Sequence, residues 1–153
     1  MAELRVGKKA SGFTLPGSDG KKHSLKEFLG KKVVLYFYPK DNTSGCIKEA
    51  CSFRDNIAAM TEKGAVVVGV SPDSIASHKS FIDKQKLNFL LLSDEEKTIL
   101  EPFGIWKEKS MYGRNYMGVE RTTVIIDETG YITHVFPKVK IDGHIEEVLN
   151  ALT

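Results

Sequence analysis

The sequence predicts an α/β fold with a mixed central β-sheet, helices on both of its faces and an N-terminal β-hairpin. Two continuous apolar runs, 33–38 and 65–70, have the composition of strands that are buried on both faces of a sheet. Helical patterns alternate with these runs, and right-handed crossovers would make the strands parallel. Residues 122–126 and 131–136 flank a turn and add an antiparallel hairpin to the sheet.

The remaining elements are predicted from helix N-caps, turn residues and glycines that end helices. Residues 13–24 predict a small hairpin around Asp19-Gly20, and Pro72 falls in the first turn of a helix, a position that proline favours. Residues 105–120 contain glycines, methionines and several charges, and we interpret them as a loop with extended pieces. The predicted helices are 25–29, 45–63, 71–86, 96–103 and 142–152, and a third strand is 89–92. Residues 1–153 are expected to form one domain.

Bulk composition argues against several classes of partner. The net charge is +2, with Lys and Arg scattered among Asp and Glu, so neither nucleic acid nor a membrane surface is the implied partner. No apolar run approaches the roughly 20 residues that span a bilayer. The first residues lack the apolar stretch of a secretory signal. We therefore expect a cytoplasmic location, where a cysteine pair is more often catalytic or metal-binding than a permanent disulfide.

The two cysteines of the chain, Cys46 and Cys51, fall in one predicted helix soon after the strand 33–38. Cys46 lies at the N-terminal end of the buried face, where unpaired backbone N–H groups and the helix dipole favour an anion. We expect its thiol to be partly ionised near neutral pH. The apolar stripe of this helix recurs every three or four residues and consists of Cys46, Ala50, Phe53, Ile57 and Met60.

The spacing of the two cysteines makes a mechanistic prediction. Five residues at about 100° each place Cys51 about 140° around the helix from Cys46. The two Cα atoms of an intact helix would be roughly 8.6 Å apart, whereas a disulfide requires a separation within about 7 Å. If these cysteines form a bond, the first turns of the helix must unwind.

Other interpretations of the cysteine pair stay open at this point. Free cysteines are often buried and inert. A structural zinc site typically has about four ligands, and the four histidines form no short-spaced cluster beside the cysteines. Four intervening residues do not match the C-x-x-C spacing of a thioredoxin-type dithiol. A Cys-His hydrolase has no supporting motif.

The segment that leads into this helix resembles a known family. Pro39, Thr43 and Cys46 match the P-x-x-x-T-x-x-C signature of peroxiredoxins. The spacing to Cys51, with Phe-Arg-Asp at 53–55, is similar to the Q-type group, also called bacterioferritin comigratory proteins. Further similar motifs follow in the same order, with V-S-P-D at 70–73, W-K-E-K at 106–109, M-Y-G-R-N-Y-M-G at 111–118 and E-R-T-T at 120–123.

The resemblance implies a thioredoxin-like fold and a role for each site residue. Cys46 would be the peroxidatic nucleophile, and Cys51 would be the resolving cysteine. Thr43 would hydrogen-bond the thiolate and the bound peroxide. Arg121 would come from a distant strand to hold the thiolate and stabilise charge as the O–O bond breaks. Pro39 would contact the bound substrate and shield the site from bulk water. Taken singly, Thr43 could be a helix cap, Arg121 a solvated cation and Pro39 a turn residue.

The activity that the resemblance implies is a thiol-dependent peroxidase. It would reduce hydrogen peroxide and organic hydroperoxides, form an intrachain Cys46–Cys51 disulfide and be recycled by thioredoxin or a similar thiol reductant. Sulfur carries the electrons, so no metal, flavin or nucleotide cofactor is implied, and a monomer is expected. Ser44 stands where the family usually has proline, which predicts altered loop rigidity and not lost chemistry. The alternatives are a thiol-disulfide oxidoreductase or a redox-sensing binding module, either without peroxidase turnover.

Overall fold

The protein, described over residues 4–153 by a computed structural model, contains nine strands and four α-helices within that range. A 3-10 helix, Leu25–Phe28, follows the first two strands. The strands are β1 (Thr14–Pro16), β2 (Lys22–Ser24), β3 (Lys32–Phe37), β4 (Ala65–Ser71), β5 (Leu90–Ser93), β6 (Trp106–Met111), β7 (Arg114–Val119), β8 (Thr122–Ile126) and β9 (Ile132–Phe136). The helices are α1 (Ser44–Arg54), α2 (Ile57–Glu62), α3 (Ile75–Gln85) and α4 (His144–Ala151).

A five-stranded mixed sheet, in the order β5-β4-β3-β8-β9, forms the centre of the fold. The strands β3, β4 and β5 are parallel, and β8 and β9 add an antiparallel hairpin beside β3. Five of the six residues of β3 are buried because apolar layers cover both faces of the sheet. The predicted sheet and its C-terminal hairpin are therefore confirmed.

The two faces of the sheet have unequal helical cover. All four α-helices contribute to one apolar cluster, which Val34 and Tyr36 of β3 join from the sheet. The alternate residues Val33, Leu35 and Phe37 face a second cluster. The 3-10 helix, β1 and the turn-rich segment 94–105 cover that side. Among the described residues, no helix has the length and apolarity that crossing a bilayer requires.

The predicted helix 45–63 is interrupted, and the predicted start of the next helix is wrong. Asp55 and Asn56 separate α1 from α2. The Asn56 side chain donates a hydrogen bond to the carbonyl of Ser52 at 2.8 Å, and such local bonds compete with a helix. Pro72 lies before α3 and not in its first turn, because Ser74 is the N-cap and accepts from the Ser77 N–H.

The predicted helix 96–103 is also wrong, since the structure forms a series of turns there. The carboxylate of Asp94 accepts hydrogen bonds from the N–H groups of Thr98, Ile99 and Leu100, at 2.7, 3.1 and 3.0 Å. Lys97 has a φ of 59°, which a right-handed helix does not allow. The chain therefore wraps around one buried acid and packs its apolar side chains onto the sheet.

The segment 105–120 forms the antiparallel hairpin β6–β7 and is not a loop. The two residues between the strands, Tyr112 and Gly113, have φ values of 52° and 75°. Positive φ at both central positions is typical of a type I′ turn. Asn or Asp usually precedes the glycine of such a turn, so the Tyr-Gly pair gave a weak sequence signal.

Gly69 provides a test of packing at the centre of the sheet. A Cβ at this position of β4 would lie 2.8 Å from Leu91 Cδ2 and 3.0 Å from ring atoms of Tyr36. We predict that Gly69→Ala lowers the free energy of unfolding by about 1–3 kcal/mol through overpacking, measured by urea titration. Gly12→Ala is the control, because a Cβ there would meet no atom within 4 Å. Equal stability of the two variants would contradict this packing.

Candidate active site

The fold places Cys46 at the buried N-terminal end of α1. Thr43 is the extended N-cap, and the bond from the Ile47 N–H to the Thr43 carbonyl, 2.8 Å, begins the helical ladder. The N–H groups of residues 44–46 precede that bond and have no intrahelical partner. The Cys46 side chain packs in the cluster beneath the helices, and the residue is only 1% exposed. A sulfur anion here would face the positive end of the helix dipole.

The side chain of Arg121 reaches Cys46 from the segment between β7 and β8. Its Nη2 donates to Cys46 Sγ at 3.4 Å, and its Nη1 donates to Glu49 Oε1 at 2.5 Å. Gly45 favours this approach, since a Cβ at that position would lie only 3.3 Å from Nη2, which is a tight contact. The Arg121 carbonyl accepts from the Val139 N–H at 2.9 Å, which fixes the backbone behind the guanidinium. One cation thus contacts both a thiol and a buried carboxylate.

Burial and the neighbouring charges act in opposite directions on the pKa values of Glu49 and Arg121. Loss of solvent raises the pKa of Glu49 to about 7, although the adjacent Arg121 opposes that rise. Burial alone would lower the pKa of Arg121, but Glu49 and Cys46 outweigh it, so the pKa of Arg121 lies above its ordinary value. The guanidinium therefore stays charged beside the sulfur.

Pro39 and Thr43 lie in the loop between β3 and α1, next to Cys46 in sequence. Pro39 is half-buried and Thr43 is exposed. The Thr43 hydroxyl donates its single proton to the Lys40 carbonyl at 2.8 Å. The structure therefore does not bring the Thr43 hydroxyl into a hydrogen bond with Sγ, and its oxygen lone pairs stay available to a donor.

A buried polar network anchors this loop. The carboxylate of Asp41 accepts from Tyr38 Oη at 2.6 Å and from Ser77 Oγ at 2.8 Å, and it lies 2.7 Å from His78 Nδ1. The Asp41 N–H donates to Asp73 Oδ2 at 2.8 Å. The loop before α1 is thereby tied to Tyr38, directly after β3, and to α3. Sequence analysis did not assign a role at the site to any of these residues.

Within residues 4–153, Asp41, Asp73 and His78 are also the one group of three side chains that could hold a metal ion. Hydrogen bonds already occupy their ligand atoms. His78 Nε2 lies 2.9 Å from the Leu92 carbonyl, and Asp73 Oδ2 accepts from both the Asp41 N–H and Ser71 Oγ. The contacts support a structural role for this group.

Cys51 lies on a different side of α1 from Cys46. Its half-buried thiol donates to Gln85 Oε1 of α3 at 3.7 Å. One turn further, Arg54 Nη1 donates to the Gln85 main-chain carbonyl at 2.6 Å. Both cysteines are free thiols, and α1 is continuous between them. The structure therefore corresponds to the reduced state with a folded helix.

Three further residues at the site were missed by sequence analysis. Glu49 is 2% exposed and follows Cys46 by three residues, so an acid beside the apolar stripe of α1 was a signal that it needs a partner. Burial and Arg121 lower the pKa of Lys109 on β6, while Cys46 opposes this effect, so Lys109 belongs to the same electrostatic environment. Burial, Glu49 and Cys46 together raise the pKa of Tyr36 well above its ordinary value.

Comparisons with known proteins agree with this arrangement. Residues 6–135 match the AhpC/TSA family. The chain is 51% identical to a putative peroxiredoxin bcp of Coxiella burnetii, over 97% of this chain and 99% of the relative. It is 45% identical to peroxiredoxin Bcp of Bacillus subtilis, over 97% and 95%, and 43% identical to peroxiredoxin Bcp of Escherichia coli K12, over 99% and 97%.

Solved structures show the same similarity in three dimensions. A cysteine-to-serine mutant of Xylella fastidiosa PrxQ superposes with a TM-score of 0.93 at 36% identity and covers 99% of this chain and 97% of that one. A trapped intermediate/ligand complex of the Xanthomonas campestris bacterioferritin comigratory protein gives 0.86 at 38% identity, over 92% and 89%. The fold is therefore the thioredoxin-like fold of peroxiredoxins. The chain belongs to the AhpC/TSA family, as a peroxiredoxin of the Bcp/PrxQ group.

Proposed function

We propose that Cys46 and Cys51 carry the redox chemistry of this thiol-dependent peroxidase, with Cys46 as the nucleophile. The contact of Cys46 Sγ with Arg121 at the N-terminus of α1 is the observation that supports this assignment most directly. A guanidinium and unpaired N–H groups both favour a thiolate over a thiol. A redox-sensing module without turnover would not require such a cation at the sulfur.

The first step is the attack of the Cys46 thiolate on a peroxide oxygen. An S–O bond forms, the O–O bond breaks, and the leaving alkoxide or hydroxide takes a proton to become an alcohol or water. Arg121 stabilises the charge that develops on the leaving oxygen. When peroxide binds, Thr43 turns its hydroxyl from the Lys40 carbonyl toward the substrate, and Pro39 covers the loop side of the site.

The second step joins the two sulfurs. The sulfenic acid of Cys46 condenses with the Cys51 thiol, which releases water and forms the intrachain disulfide. The helical spacing keeps the two Cα atoms roughly 8.6 Å apart, so the start of α1 must unwind. Unwinding also breaks the contacts of Cys51 and Arg54 with Gln85.

In the third step a thiol reductant opens the disulfide by exchange through a mixed disulfide. We propose a thioredoxin-type dithiol as this reductant, on the resemblance to the family. We also propose that organic hydroperoxides are substrates beside hydrogen peroxide, because the structure of the Xanthomonas campestris relative concerns alkyl peroxide reduction. A monomeric state and a cytoplasmic location stay predictions from the sequence.

Serine variants of the two cysteines test these roles separately. Cys46→Ser removes the nucleophile, so we predict that peroxide consumption with excess reductant is abolished. Cys51→Ser keeps the first oxidation but cannot close the disulfide, so sulfinic acid accumulates at Cys46. Intact mass after one equivalent of peroxide should be about 2 Da lower for the wild type and about 16 Da higher for Cys51→Ser, and a second equivalent should raise the mass of Cys51→Ser by about 32 Da in total.

Ser52→Ala is the matched control for these variants, because Ser52 neighbours Cys51 on α1 and its hydroxyl donates to the Lys48 carbonyl of the same helix. It should behave as the wild type does. Continued peroxide turnover by Cys46→Ser would overturn the assignment of the nucleophile. An intrachain disulfide in Cys51→Ser would overturn that of the resolving cysteine.

Amide exchange tests the unwinding step. We predict that oxidation to the disulfide removes the protection of amides in α1, because their helical hydrogen bonds are lost. The strands β3 and β4 serve as the internal reference and should keep their protection, since the sheet does not rearrange. Hydrogen–deuterium exchange with peptide mapping of reduced and oxidised protein measures both. Unchanged protection of α1 in the disulfide form would refute unwinding.

A further inference from the structure

The peptide group between Lys40 and Asp41 connects Asp73 to Thr43. Its N–H donates to Asp73 Oδ2 at 2.8 Å, and its carbonyl accepts from the Thr43 hydroxyl at 2.8 Å. This peptide is trans, so its carbonyl and its N–H lie in one plane and point in opposite directions. An acceptor that fixes the N–H therefore also fixes the direction of the carbonyl. Asp73 thereby determines where the acceptor of the Thr43 hydroxyl lies.

The carboxylate of Asp73 is itself held by the central sheet. Ser71, which is buried at the end of β4, donates its hydroxyl to Asp73 Oδ2 at 2.7 Å and accepts from the Asp73 N–H at 3.2 Å. The hydroxyl of Ser93, in the neighbouring strand β5, donates to the Asp73 carbonyl. The V-S-P-D segment at 70–73, to which the proposed chemistry assigns no role, therefore presents a fixed acceptor to the loop before α1.

The side chain of Asp41 holds the same peptide group from its other end. Asp41 is 5% exposed, and its carboxylate accepts from Tyr38 and Ser77 and contacts His78 Nδ1. Both the N–H and the carboxylate of Asp41 are thus engaged. Rotation of the peptide plane 40–41 would break buried hydrogen bonds, and an unpaired buried polar group is costly.

The loop depends on these contacts because its direction reverses immediately after Asp41. Asn42 has a φ of 61°, a left-handed conformation that asparagine tolerates better than most residues but that still costs energy. Thr43 returns to extended backbone, with a φ of −88° and a ψ of 154°. A displacement of about 1 Å can lower the rate of an enzyme reaction by about 100-fold. The position of the Thr43 oxygen therefore requires a fixed residue on the other side of this reversal.

We propose that Asp73 is a positioning residue for the peroxide step and that it acts on the Thr43 hydroxyl through the peptide group 40–41. In the reduced protein the carbonyl of this peptide receives the hydroxyl proton and holds the Thr43 side chain in one orientation. When peroxide binds, the hydroxyl leaves this carbonyl from a defined position. Without the bond to Asp73 the peptide plane rotates, and the Thr43 oxygen has no single position. This proposal rests on the role of Thr43 in the proposed function.

Two substitutions of Asp73 test this role. Asp73→Ala removes the acceptor of the Asp41 N–H, whereas Asp73→Asn keeps an amide oxygen that can accept the same bond. We predict that the rate constant for the reaction of reduced, folded protein with hydrogen peroxide, measured by stopped flow, falls about 10-fold in Asp73→Ala and stays within about twofold of the wild type in Asp73→Asn. Asp83→Ala removes an exposed acid of α3 and is the matched control, which should react as the wild type does.

Alkylation of Cys46 by iodoacetamide distinguishes positioning from general damage to the fold. The contact of Arg121 with the sulfur and the N-terminus of α1 do not depend on Asp73, so the alkylation rate should be unchanged in Asp73→Ala. A merely structural role of Asp73 would slow alkylation and the peroxide reaction together. An unchanged or raised rate with peroxide in Asp73→Ala overturns the proposal.

A double-mutant cycle tests whether Asp73 acts through Thr43. Thr43→Val keeps the shape of the side chain but removes the hydroxyl, which makes no cap bond to α1, and we predict a loss of about 100-fold. In this background Asp73→Ala should cause no further loss, because the group that it positions is absent. Equal losses in both backgrounds overturn the proposal. A wild-type rate in Thr43→Val overturns the role of Thr43 and this proposal with it, whereas failure of the nucleophile assignment would appear only as turnover by Cys46→Ser.

Ser71→Ala replaces Asp73→Ala in the cycle if the latter does not fold. It keeps the carboxylate but removes the hydroxyl that fixes Asp73 Oδ2. We predict a decrease of about threefold in the peroxide rate of the wild type and none in the Thr43→Val background. The same loss in both backgrounds, or no loss in either, overturns the proposal.

Discussion

The interaction of Arg121 with Cys46 and Glu49 is the constraint on which the rest of the site depends. The guanidinium reaches the sulfur because β8 pairs with β3 and because Gly45 leaves space at the first turn of α1. Both contacts join segments that are more than 70 residues apart in sequence. The central sheet is therefore the element that assembles the site, and the helix alone could provide only the thiol and its unpaired N–H groups.

The same helix has two opposing requirements. In the reduced state α1 must be intact, since its N-terminus and the Arg121 contact both favour the thiolate. In the proposed second step its first turns would have to unwind so that the two sulfurs can meet. The contacts that hold the loop before α1 differ from those that hold α1 itself. The network around Asp41 holds the loop before α1, whereas Cys51 and Arg54 each donate one hydrogen bond to Gln85 of α3. The loop before α1 can thus stay in place while the first turns of α1 open locally.

Much of this arrangement could be predicted from the sequence, because it follows from apolar runs and helix ends. The parallel strands and the position of Cys46 at a helix N-terminus are examples. The hairpin β6–β7 was missed because few of its side chains are buried and its turn uses Tyr112-Gly113. The turns after Asp94 were missed because one buried carboxylate, and not propensity, determines the path of the chain there. The pairing of Glu49 with Arg121 depends on contacts across the sheet, which local pattern does not encode.

The rate of Cys46 oxidation in an Arg121 variant tests the central claim most directly. Arg121→Gln keeps a hydrogen-bond donor but removes the charge, and Arg121→Lys keeps the charge with a different geometry. Stopped-flow measurement of the reaction of reduced, folded protein with hydrogen peroxide should show a decrease of about 100-fold or more for Arg121→Gln, with partial recovery in Arg121→Lys. A rate constant for Arg121→Gln within about twofold of the wild type would contradict the account, since the bound cation would then contribute nothing to the reaction.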